Sequence, residues 1–159
     1  MRKAISLAFV LCVVVYQLTG CRVLPVGQEE LLGLADDLAG RLGTSQITGD
    51  GNLIGERLLG EDAYTGRYLA ECAGDTGKDV VFGGASLEER KLYVCGCILA
   101  ESGKAVIRIR MNEEVTELEP DDDGFFETKL SLGNGGNYIM VQYQDFTGTV
   151  ELTAGYARD

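Results

Sequence analysis

The sequence predicts a mainly β protein: an antiparallel β-sandwich of about eight strands, Ig-like or jelly-roll-like, preceded by one amphipathic helix. Three observations predict it. From Tyr64 onward, apolar residues recur at every second position in short runs rich in β-branched and aromatic side chains. Turn-forming clusters (AGDTG, ESGK, PDDDG, GNGG and DFTG) separate those runs at the spacing of a sandwich or barrel. Before Tyr64 the only sustained amphipathic period is helical.

The chain opens with MRKAISLAFVLCVVVYQLTGC. Arg2 and Lys3 give a positive start, an uncharged apolar run covers 4–16, and Leu18-Thr19-Gly20-Cys21 closes it. The run is short for a membrane span and has the order of a secretory signal. Its close resembles the lipobox of bacterial lipoproteins, in which small residues lead to an invariant Cys. The resemblance implies that 1–20 is a signal recognised through Leu18, Thr19 and Gly20 and removed before Cys21. It implies a diacylglyceryl group on Cys21 and an anchor on the extracytoplasmic face of the cell membrane or envelope. Two or more acyl chains hold a protein firmly, where one holds it weakly. The alternative is an ordinary signal peptide with a chance Cys.

Residues 21–27 form a short tether containing Pro25 and Gly27. The spacing predicts a helix over 28–42, with Leu31, Leu34, Ala35, Leu38 and Leu42 on one face and Glu29, Asp36 and Asp37 on the other. Gly33 and Gly40 weaken it by roughly 1 kcal/mol each relative to Ala. Its acidic polar face suits docking on the chain's own domain better than a membrane surface, which favours Lys and Arg. The remainder of 28–62 is Gly-rich and polar and reads as a loop. The β domain is expected over 63–159.

Eight runs are expected as strands: 66–72, 78–82, 91–99, 105–111, 115–119, 125–132, 137–144 and 149–154. Alternation within them predicts a core of Ile107, Ile109, Leu130, Leu132, Ile139, Val141, Val150 and Leu152. Two segments look related: GRYLAECAGDTGKDVVF and GNYIMVQYQDFTGTVEL. Each opens Gly-x-Tyr and carries Asp and then Thr-Gly, which reads as two similar β-hairpins. The phrase GGNYIMVQYQDFTGTVEL also resembles the small β-sandwich domains of uncharacterised bacterial surface lipoproteins. That likeness implies a fold and no activity.

Charge and composition narrow the function. The chain holds 14 basic and 25 acidic residues, and removal of Arg2 and Lys3 leaves 12 − 25 = −13. So acidic a surface disfavours nucleic acid and anionic lipid. There is no His and no Trp. Imidazole catalysis and imidazole metal sites are thereby excluded, along with the strongest aromatic platform for sugars. No enzyme and no cofactor is expected. The expected partners are the membrane, through the lipid, and an unidentified protein or glycan.

Cys72, Cys95 and Cys97 remain after the signal. A strand places Cys95 and Cys97 on one face with Tyr93 and Leu99. A disulfide from Cys72 to either, a buried apolar role, and a redox or metal role are the alternatives. Asp121, Asp122 and Asp123 offer oxygen ligands for Ca²⁺, but Pro120 before them and Gly124 after them equally make an acidic turn. Paired carboxylates such as Glu88 and Glu89 are too common in this chain for one pair to stand out. An exposed cluster among Tyr64, Tyr68, Tyr93, Phe125, Tyr138, Tyr143 and Phe146 would favour glycan binding.

Overall fold

A computed structural model of the protein describes residues 46–157. The expected signal, Cys21 and the expected 28–42 helix lie outside the described residues. A 3-10 turn at Asp50–Asn52 leads into six strands. They are β1 (Glu56–Leu59), β2 (Gly66–Ser86), β3 (Arg90–Met111), β4 (Glu114–Leu118), β5 (Phe125–Leu132) and β6 (Gly135–Tyr156). All pair antiparallel in one sheet, in the order β1-β2-β6-β3-β4, with β5 also on β3.

The expected eight-stranded sandwich is thus corrected to one six-stranded sheet. Six of the expected runs merge in pairs into three strands of 21 or 22 residues. The clusters AGDTG, ESGK and DFTG do not reverse the chain. Each adds residues to a strand that then continues, and the three irregularities fall at one level. Register shifts lie between Ala73 and Gly77 on β2, in two steps, and between Ala100 and Lys104 on β3, both opposite the 143–148 stretch of β6.

An odd insertion in a strand moves the following side chains to the other face. Buried positions on β2 run 68, 70, 72 and then 79, 81. On β3 they run 92, 94, 98 and then 107, 109. On β6 the positions in the core cluster run 139, 141, 143 and then 146, 150, 152. All three parities flip at the shared level. At Gly103 the flip needs φ +73, and a Cβ there would lie 2.0 Å from the Asp145 carbonyl oxygen. Asp145 itself adopts φ 45, and its N–H donates to Thr76 Oγ1 at 2.8 Å.

The two look-alike segments are not hairpins. They lie on β2 and β6 and pair with each other, Tyr68 opposite Leu152 and Gly83 opposite Tyr138. Their matching Asp-containing turns meet: Thr76 Oγ1 donates to Asp145 Oδ1 at 3.1 Å.

The aligned break divides the sheet into two halves. The thiol half holds β1, β5, the first parts of β2 and β3, and the last part of β6. The arginine half holds β4 and the remainder, including Arg108 and Arg110. Their inner faces meet. Tyr68 of the thiol half donates to Asp79 Oδ2 of the arginine half at 2.5 Å, and its hydroxyl lies 2.7 Å from that of Tyr143. Asp79 is 1% exposed. Its Oδ2 also accepts from the N–H groups of Ile54, at 2.8 Å, and Gly55, at 3.3 Å. A buried carboxylate needs such partners.

Seven of the eight expected core residues are buried, and Leu130 is half-buried against the same cluster. β2 carries one more irregularity, between Val80 and Phe82, which lets both Val81 and Phe82 point inward. The stretch expected as loop supplies β1 and also Arg57, whose guanidinium donates to the Thr48 and Val81 carbonyls, both at 2.9 Å. Arg57 and Thr48 together close the β2 edge of the arginine half, where an open edge would invite pairing with another chain.

Candidate functional site: the outer face of the thiol half

β3 sends Leu92, Val94 and Ile98 inward, so Tyr93, Cys95, Cys97 and Leu99 line its outer side. Register sets their neighbours. One row across the sheet reads Phe125, Cys97, Glu151, Leu69, Glu56. The next reads Glu127, Cys95, Thr153, Arg67, Leu58. Two shallow depressions of ≈ 450 and ≈ 490 Å³ lie along these rows and share Glu151 and Thr153. The first is lined by Leu58, Arg67 and Leu69 among others, the second by Cys95, Cys97, Asp121, Phe125 and Glu127. Four of the exposed large apolar side chains stand on this face: Leu58, Leu69, Leu99 and Phe125.

Its electrostatics are acidic around the thiols. Burial, and then the Glu151 carboxylate, push the Cys97 thiol up from its ordinary value. Tyr93 donates to Glu127, and that hydrogen bond, with burial second, raises the phenol to about 12. A raised thiol is a poor nucleophile, since the thiolate is the reactive form.

The two features expected separately, the Cys95/Cys97 pair and the acidic turn, come together at Asp121. Asp121 Oδ1 accepts from the N–H groups of Asp123, at 3.1 Å, and Phe125, at 2.8 Å. It thereby sets the turn that leads into β5. Asp122 and Asp123 stay exposed. Among the described residues, no group of three or more Cys, Asp or Glu side chains is arranged to hold a metal ion.

Cys72 does not join the other two thiols, and the expected disulfide is corrected: Cys72, Cys95 and Cys97 are all free. β6 runs between β2 and β3, which puts Cys72 two strand spacings away, about 10 Å. Cys72 also faces inward, where burial lifts its thiol to about 11. Adjacent runs in the sequence are not adjacent strands here.

Sequence reasoning missed Leu58, Arg67, Leu69, Glu151 and Thr153 as parts of this face. The alternation Thr149, Glu151, Thr153 marks an outward row. The strands beside it could be assigned only once β6 was known to sit between β2 and β3. Compared with known proteins, the chain matches no family model and no curated protein.

Proposed function

We propose that this protein is a lipid-anchored extracytoplasmic surface protein whose β domain is a non-catalytic interaction module. Leu18-Thr19-Gly20-Cys21 supports the anchor. The observation that carries the interaction reading is the outer face of the thiol half, where Leu58, Leu69 and Phe125 stand exposed beside two adjoining depressions. Apolar side chains clustered within a polar rim are the anatomy of a contact surface.

A polypeptide partner is favoured over a glycan. Tyr64, Tyr68, Tyr138, Tyr143 and Phe146 are buried, so five of the seven aromatics that could have formed a sugar platform are committed elsewhere. Phe125, 60% exposed, is left with half-buried Tyr93.

Two experiments test the reading. Radiolabelled palmitate should enter the wild-type chain and not Cys21→Ala; equal labelling of both would refute the anchor. Phe125→Asp with Leu58→Asp should abolish crosslinking of envelope proteins to the domain without lowering its melting temperature. An unchanged crosslinking pattern would refute this face as the contact surface.

A further inference from the structure

The edges of the sheet are not equally closed. On β2, the arginine-half edge is blocked by Thr48, by Arg57 and by the Ala63 carbonyl, which accepts from the Gly83 N–H at 2.8 Å. β1 and β4 are edge strands of four and five residues, too short to template much pairing. β5 is the long one. It runs eight residues, Phe125–Leu132, and pairs with β3 on one side only.

Register sorts its backbone groups. The Ile98 N–H donates to the Gly124 carbonyl at 2.9 Å, so even-numbered positions of β5 turn their backbone groups toward β3. The odd-numbered ones, Phe125, Glu127, Lys129 and Ser131, turn theirs away. Phe125 shows this directly: its N–H donates to Asp121 Oδ1 and its carbonyl accepts from the Asp121 N–H, both at 2.8 Å. Asp121 thereby plugs one end of the edge. Beyond it, the backbone groups of Glu127, Lys129 and Ser131 meet no backbone partner on the outer side among the described residues. Thr128 and Leu130 point to the core side yet are only half-buried, with no strand beyond them.

We propose that a second copy of this chain pairs here, β5 antiparallel to β5 about a two-fold axis at Thr128. The side chains pick both the occupant and the register. Glu127 and Lys129 stand exposed on the outer row, and Lys129 enters none of the ion pairs among the described residues. Centred on Thr128, the pairing sets Glu127 of each copy opposite Lys129 of the other, which makes two ion pairs and places the outward backbone groups of both residues in hydrogen-bonded positions. On the core side Leu130 falls opposite the partner's Phe126, which covers its open flank, and Thr128 falls opposite Thr128, a favoured cross-strand pair. Centring on Lys129 instead would set lysine against lysine, which repels. A lone lysine keeps an edge single; the facing Glu127 cancels that protection. Such self-complementary spacing is what a two-fold contact requires. This inference goes beyond the interaction reading and does not rest on it, because it concerns the rim of the sheet rather than its outer face.

Sedimentation velocity of the full chain in mild detergent tests it, with amide exchange read by NMR as a second measurement. The wild type should pass from monomer to dimer as concentration rises, and the Glu127 and Lys129 amides should gain protection with it. Glu127→Lys and Lys129→Glu should each weaken dimerisation roughly tenfold or more, and the two together should restore it. Melting temperatures of the monomers should hardly move, since both side chains are exposed. A wild type that stays monomeric would overturn the proposal and leave the edge to a strand of a different protein. A dimer indifferent to both single charge changes would overturn it too, as would one that follows detergent concentration, which places the contact in the micelle. Protection of the two amides that does not depend on protein concentration would overturn it even if a variant failed to fold.

Discussion

The two halves of the sheet are made largely from the same three strands, yet their outer faces differ in kind. The thiol half exposes leucines and a phenylalanine around two thiols. The arginine half buries its outward methionine and tyrosine, with the Arg110 guanidinium lying over the Tyr138 ring. The parity flip makes the difference possible. Without it, each strand would carry one pattern along its whole length. The lesson is that one extra residue, placed at one level in three neighbours, gives a single sheet two independently specified layers.

The comparison breaks most severely at the shared core. Phe82 is fully buried where the inner faces meet, and Phe82→Ala should cost about 3–5 kcal/mol. Phe125→Ala, on the outer face, should stay within about 0.5 kcal/mol. Urea midpoints of the two variants measure the contrast, and similar losses would mean that Phe125 belongs to the fold rather than to a contact surface.

The break itself is tested by two glycines with left-handed φ. A Cβ at Gly74 meets nothing within 4 Å, whereas one at Gly103 meets the Asp145 carbonyl. Gly74→Ala should cost the conformational strain alone, roughly 1–3 kcal/mol. Gly103→Ala should cost more, because β3 must also move away from β6. Equal costs would show that close approach at this level is not what fixes the bend.

A smaller effect should appear at high pH. Burial raises Cys72 from 9.0 to about 11 and Tyr64 from 10.0 to about 12, and it pushes Tyr68, Tyr143 and Tyr156 upward as well. A group whose folded value is raised binds its proton more tightly in the folded state. Its contribution is complete below the unfolded value and is lost as pH climbs through the folded one. The urea midpoint should begin to fall above pH 9 and keep falling past pH 11. Cys72→Ala should lessen the fall between 9 and 10, where thiols, Cys72 and the likewise raised Cys97, are the first of these groups to lose their protons in the unfolded chain. An unchanged slope there would remove Cys72 from the account.

The smallest expected effect is kinetic. Alkylation without denaturant should modify Cys95 and Cys97 before Cys72, read by peptide mass, with no change in melting temperature. Modification of all three at one rate would place Cys72 outside the core.

The sequence made the β class legible, as well as seven buried core residues and the outward placement of Cys95 and Cys97, because alternation is a local property. It misled at AGDTG, ESGK and DFTG. Their Gly and Asp residues supply left-handed backbone, and a bulge uses that conformation just as a turn does. Only the partner strand distinguishes the two. β1 escaped notice because Leu58 and Leu59, side by side and exposed, carry no alternation. The candidate site was half legible for a related reason. A strand's own outward row can be read from sequence, but its neighbours depend on which strand lies beside it. Asp79 did leave a signal: an acid in phase with Val81 on a core-facing strand. Its partners, Ile54 and Tyr68, lie 25 and 11 residues away and left none.

The position of β6 has a consequence for the order in which the molecule can form. It is the last of the six strands in chain order, and it fills the middle of the sheet, between β2 and β3. A nascent chain that has exposed only β1 to β5 holds two hairpin-like pieces, β1 with β2 and β3 with β4 and β5, and nothing to join them. The Tyr68–Tyr143 contact spans 75 residues, a separation typical of slow, non-local folding. Cooperative folding therefore waits for the 135–156 stretch.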